Sequence, residues 1–103
     1  MNVFLPADDP AYAAQTAAYT GTAGNTATFQ PDATAVLVWC TTAAYVKVGV
    51  GAVATTASTP IPANEMIYLR VPPNTSGAPW RVSAVQIAAG GNVYAKPGKL
   101  VDN

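Results

Sequence analysis

The stretch "ATAVLVWCTTAAYVKVGV", residues 33–50, decides how the chain is read. Its second half alternates with a period of two: Val46, Val48 and Val50 share one face, and Tyr45, Lys47 and Gly49 the other. That is a strand half in water and half in a core. The first half is β-branched and aromatic and is apolar on both faces, with Leu37 and Trp39 opposing Val36, Val38 and Cys40. Such a strand is central, or is covered by a second layer or a partner. The intervening Thr42-Ala43-Ala44 is short enough for a hairpin, so the two strands are expected to be antiparallel neighbours.

Downstream, "GAVATTASTPIPAN" (51–64) is a long connection in which Pro60 and Pro62 remove ladder donors. Connections of this length are binding surfaces or crossovers between sheets. "EMIYLRV" (65–71) resumes a strand with Ile67, Leu69 and Val71 inward and Met66, Tyr68 and Arg70 outward. After a second Pro/Gly loop, "WRVSAVQIA" (80–88) reads as a strand, Gly90-Gly91-Asn92 as a hairpin turn, and "VYAKP" (93–97) as a returning strand that Pro97 stops. Alternating short and long connections point to an all-β fold: one small β-sandwich or jelly-roll-like barrel of about six to eight antiparallel strands.

Upstream the character changes. Residues 1–28 are rich in Ala, Thr and Gly, with aromatics set apart at Phe4, Tyr12 and Tyr19. Asp9-Pro10 is a helix-start signal, and Gly21 or Gly24 would end a short Ala-rich helix. Alternatively the segment is extended and its second half, from Tyr19 to Phe29, adds an edge strand. The reading adopted is an N-terminal extended arm (1–28), helical for no more than a turn or two, followed by a β-sandwich domain (29–103).

Composition bounds the function. A chain of 103 residues holds one domain. Half of it counts as hydrophobic, but much of that is Ala, which buries little area, so the core is thin and support from a partner is expected. Charged residues make up 10% and cancel to a net charge of zero, against about 25% in ordinary soluble domains. Nothing in that balance steers the chain to nucleic acid or anionic lipid. A surface so poor in charge suits an assembly component.

The chemistry-bearing residues are few. With no histidine, Ser-His-Asp and Cys-His arrangements are excluded. A Ser/Lys pair remains formally open through Ser58, Ser76 or Ser83 with Lys47 or Lys96, but no spacing selects one. The single cysteine, Cys40, leaves no intrachain disulfide and no zinc cluster, and is read as a small buried hydrophobe. Asp8-Asp9 lacks the further oxygen ligands of a cation loop, and Gly49-Val50-Gly51 lacks the third glycine of a dinucleotide loop. No enzyme activity, cofactor or metal is expected. "MNVFLPADDP" lacks a basic stretch followed by a long apolar one, so neither secretion nor a membrane span is expected, and synthesis in the cytoplasm is. Trp39, inside the most apolar strand, is placed in the core. Trp80, at a strand start after the Pro-rich loop, is either a core plug or an exposed anchor.

The order "AYTGTAGNTATF", "VLVWCTTAAYVKVG", "TPIPANEMIYLRVP", "WRVSAVQIAAGGNVYAKPG" resembles small β-rich virion proteins of tailed bacteriophages that decorate or cement the head shell. The likeness covers most of the chain after Tyr19 and brings no catalytic or ligand residue with it. It implies a structural protein on the capsid surface that binds across subunits of the major capsid protein and self-associates as a dimer or trimer. The contacts expected are Phe4, Leu5, Tyr12 and Tyr19 from the arm, with Tyr68 and Trp80 from the domain. The alternative is a tail, neck or fibre module that recognises a partner protein or host glycan through Trp80, Tyr68 and the 72–79 loop.

Overall fold

A computed structural model describes residues 2–6, 13–29, 33–72 and 77–102, with only the backbone at 2–6 and 100–102. It is all-β, with no helix among the described residues. The strands are β1 (Asn2–Pro6), β2 (Gln15–Tyr19), β3 (Gly24–Asn25), β4 (Ala35–Cys40), β5 (Ala44–Gly49), β6 (Thr59–Ile61), β7 (Met66–Arg70), β8 (Arg81–Gln86) and β9 (Gly91–Asp102). All pairings are antiparallel and form two sheets. Sheet A runs β1-β9-β4-β7, with β2 also on β9, and sheet B runs β3-β8-β5-β6.

β1 and β2 are two pieces of one edge strand. Both pair with the same edge of β9, Pro6 with Gly98 and Gln15 with Ala95, on either side of Lys96 and Pro97. With that strand counted once, each sheet has four strands, and the order is that of a double-sheet jelly roll.

The sequence reading made β4 and β5 hairpin neighbours; they lie in different sheets. The 41–43 link arches across the sandwich, pinned by Thr41 and Thr42. Thr41 N–H donates to Asn92 O (3.0 Å), and Asn92 N–H donates to Thr41 Oγ1 (2.9 Å). Thr42 Oγ1 donates to Ala89 O (3.0 Å). Val36 and Val38 therefore face Val46 and Val48 through the core instead of lying beside them. The 87–90 turn is likewise a crossing, from β8 in sheet B to β9 in sheet A, and not a hairpin.

Pro97 does not stop β9, which continues to Asp102. The Thr41–Asn92 bond sets the parity: residues 92, 94, 96 and 98 address β4, and 93, 95 and 97 address the opposite edge. Pro97 thus turns its donorless nitrogen to the edge shared by β1 and β2, at a position that pairs with neither strand.

The core between the sheets holds Tyr19, Phe29, Val36, Val38, Cys40, Val46, Ile61, Trp80, Val82 and Val93, all at most 2% exposed. Phe29 and Trp80 pair by two backbone bonds (2.7 and 3.2 Å), their ring centroids 4.7 Å apart. Residues 15–29 are strand and irregular chain, so the helical option lapses for this stretch; the edge strand expected from Tyr19 to Phe29 is the short β3 with the Phe29–Trp80 bridge, and β2 lies ahead of it. Gly24 has no room for a side chain, because a Cβ there would collide with the Ala18 carbonyl.

The two outer faces differ. Across sheet B lies the 50–58 loop: Ala54 N–H donates to the buried Ser83 Oγ (2.8 Å), and Arg81 Nε donates to Ala52 O (2.8 Å). Ala52 and Ala54 are buried by this arrangement, and so are Ser83 and Val85 beneath them. The long connection is thus a roof over the chain's own sheet. The outer face of sheet A has no such cover among the described residues.

Candidate functional site

The outer face of sheet A, bare among the described residues, is built by four strands whose registers align their outward residues in rows. Trp39 of β4 lies opposite Met66 of β7 on one side and Tyr94 of β9 on the other, and Tyr94 lies opposite Thr16 of β2. The next row is Tyr68, Leu37 and Lys96. Adjacent strands are ~4.8 Å apart, so the first row spans about 14 Å. Alternation put these residues there: the same period that sends Val36, Val38, Ile67, Leu69, Val93 and Ala95 inward sends Leu37, Trp39, Met66, Tyr68 and Tyr94 out.

The exposure is large for such residues: Met66 68%, Tyr68 53%, Tyr94 37%. Trp39 and Leu37 are half-buried, and the Trp39 and Tyr94 rings rest against each other at 4.8 Å between centroids, tilted by 31°. Beside them runs a shallow groove of about 230 Å³, with Ala14, Leu37, Met66 and Lys96 in its walls. Among the described residues that line it, Lys96 is the only charged one. Contiguous exposed apolar surface of this kind marks an interaction site, and Trp, Tyr and Met are the residues enriched in one.

Of the residues expected to make contacts, Tyr68 lies on this face. Tyr19 and Trp80, at 2% and 0% exposure, are core residues with no surface to offer a partner. Tyr19 OH donates to Thr42 O (2.7 Å) and lies 2.8 Å from Thr42 Oγ1, so it bonds β2 to the β4–β5 arch. Phe4 and Leu5 pair through their backbones with Leu100 and Lys99 of the same chain, and their side chains lie outside the description. Tyr12, Asp8 and Asp9 fall outside the described residues, as does Ser76. Trp39, read as core, is instead the centre of the outer face. Its signal was the apolarity of β4 on both sides.

The remaining chemistry is quiet. Lys47 and Ser83 are register partners, but Ser83 is fully buried and its hydroxyl is engaged by Ala54 N–H, so no substrate reaches that pair. Burial pushes the Cys40 thiol up to about 11, against a smaller lowering by a hydrogen bond to Tyr19, so the sulfur stays a protonated core atom. Among the described residues no three His, Cys, Asp or Glu side chains are grouped to hold a metal. What this surface has to offer is contact: shape, aromatic area and little charge.

Compared with protein-family models, with curated proteins and with solved structures, the chain finds no match in any of the three.

Proposed function

We propose that the protein is a structural virion component, a decoration or cement subunit that docks on the head shell of a tailed bacteriophage through the outer face of sheet A. The observation that carries this reading is the row Met66–Trp39–Tyr94, which no described residue covers, on a molecule that roofs its other sheet with its own loop. The sequence resemblance supplies the shell; the face supplies a means of binding it. The partner is the major capsid protein, and self-association into a dimer or trimer places several such faces across neighbouring shell subunits. With few charges on the face, binding varies little with salt.

The glycan-binding alternative has lost its main anchor, since Trp80 is buried. The groove beside Trp39 also presents almost no polar groups to sugar hydroxyls.

The test is the copy number in purified particles, by quantitative mass spectrometry against the major shell protein, together with co-sedimentation of the wild-type and Trp39→Ala proteins on empty shells. Hundreds of copies in simple ratio to the shell subunit, and loss of binding in the variant, are expected. A dozen copies would move the protein to the neck or tail. Absence from particles would end the virion reading.

A further inference from the structure

A second feature lies at the edge of the sandwich formed by β6 and β7. β6 pairs only with Ala44–Val46 of β5 and ends at the Thr59–Val46 pair, while β8 follows the other edge of β5 to Gly49. Ile87 N–H donates to Ala43 O (3.3 Å), which sets the parity of β5: residues 43, 45, 47 and 49 address β8, and 44, 46 and 48 address β6. Ala44 and Val46 are met by Ile61 and Thr59. Val48 lies beyond the end of β6, and neither its N–H nor its C=O has a partner among the described residues.

That open position faces a cleft of about 420 Å³ between the two sheets. Val46, Val48 and Leu69 give it apolar surface, and Lys47 and Arg70 line it as well. The far wall is the Thr55–Ser58 turn, held by Thr55 N–H to Ser58 Oγ (3.0 Å) and Ser58 N–H to Thr55 O (2.9 Å). Among the described residues no carboxylate lines the cleft, and neither cation makes an ion pair. Two of the chain's five basic residues therefore border one apolar slot with an unpaired strand edge in it.

We propose that this cleft is a recognition site for an extended acidic polypeptide segment, which adds to sheet B as a short strand continuing the line of β6 along Lys47–Gly49. The chemistry selects the occupant. Val48 presents a donor and an acceptor to the same side, and an antiparallel peptide answers both. An aliphatic carboxylate answers only the donor. The apolar floor takes the alternate side chains of such a strand, and the two cations take its carboxylates. This site uses different residues from the aromatic face, the added strand pairs with the other sheet, and its salt dependence is opposite in character.

The test is a titration of the full chain, followed by amide NMR, with the blocked peptide acetyl-VEVDV-amide. The expected result is a downfield shift and slowed exchange of the Val48 amide, with affinity that falls as salt is raised. Affinity should also fall about tenfold in the Lys47→Gln/Arg70→Gln protein. Both side chains are exposed, so the variant keeps its fold, which an unchanged spectrum away from the cleft verifies. A peptide N-methylated at its central valine, unable to donate to Val48 C=O, should bind at least about tenfold more weakly. The proposal is overturned if acetyl-VEVDV-amide does not bind at millimolar concentration, if acetyl-VKVKV-amide binds equally well, or if N-methylation changes nothing. It is also overturned if octanoate fills the cleft while the peptide leaves Val48 unmoved, since the site would then be one for small amphipathic anions.

Discussion

Trp39 and Tyr94 face each other across β4 and β9 with ring centroids 4.8 Å apart, on the solvent side of their sheet. Phe29 and Trp80, at 4.7 Å, make a comparable pair inside the sandwich. One couple is sealed in the core and the other is presented. A stacked pair on a strand is already held in place before anything docks, so a partner meets rigid aromatic area with little ordering left to do.

Replacing Trp39 by Ala should leave a folded protein, destabilised by about 0.5–1.5 kcal/mol through the lost ring pair. The same change should weaken shell binding by about tenfold to a hundredfold, as removal of a central aromatic anchor does. Urea denaturation and co-sedimentation measure the two effects separately. A variant that binds as well as wild type would remove sheet A from the docking surface.

Trp80→Ala should behave in the reverse way. Its side chain is fully buried against Phe29, and emptying that space costs about 3–5 kcal/mol, a large share of the stability of a small domain. Loss of the cooperative unfolding transition, or a steep fall in its urea midpoint, is the expected observation. Near-wild-type stability would contradict the burial described.

Tyr19→Phe separates a core role from an arm role. The substitution keeps the ring and deletes the hydroxyl that bonds to Thr42 O at 2.7 Å, for a loss of about 1–2 kcal/mol. Binding to shells, normalised to folded protein, should be unchanged. A selective loss of binding would mean that Tyr19 reaches a neighbouring subunit after all.

Cys40 makes stability depend on alkaline pH. Its thiol titrates near 9.0 when unperturbed and is raised by burial to about 11 in the folded state, so the folded protein holds this proton more tightly than the unfolded one. The contribution is fully present below about pH 9 and is lost as pH rises towards about 11, with a slope of up to about 1.4 kcal/mol per pH unit. Chemical denaturation at pH 8 and pH 10 should therefore show a larger drop for wild type than for Cys40→Ala, about these values. Equal drops would show that the thiol is not protected.

Alternation at Val46 and Val48, and again at Ile67 and Leu69, was enough to give an all-β sandwich. It was not enough to give its connections. A hairpin and an arch between sheets satisfy the same pattern, because valines on neighbouring strands and valines facing one another across a core both need only to point inward. The choice was made by Thr41, Thr42 and Tyr19, whose hydrogen bonds join residues far apart in sequence. Trp39 was misplaced for a related reason. Apolarity on both faces states that a strand is covered, but not whether the cover is the chain itself or something else. Pro97 could not be read from local rules either, since its tolerance rests on lying between the ladders of β1 and β2 and not within one. The cleft beside Val48 depends on where β6 ends, which no single stretch encodes.

β9 is the strand that β1, β2 and β4 all require, and its pairing joins Asn2 to Asp102. Sheet A therefore cannot close while residues 91–102 are still inside the ribosome. Until then the valines of β4 and the aromatic row have no completed sheet beneath them, and both are open to chaperones or to other nascent chains. Refolding in vitro should share that burden, with a rate in the class of non-local β-topologies, on the order of milliseconds to seconds. A chain built this way is under kinetic pressure to complete β9 quickly.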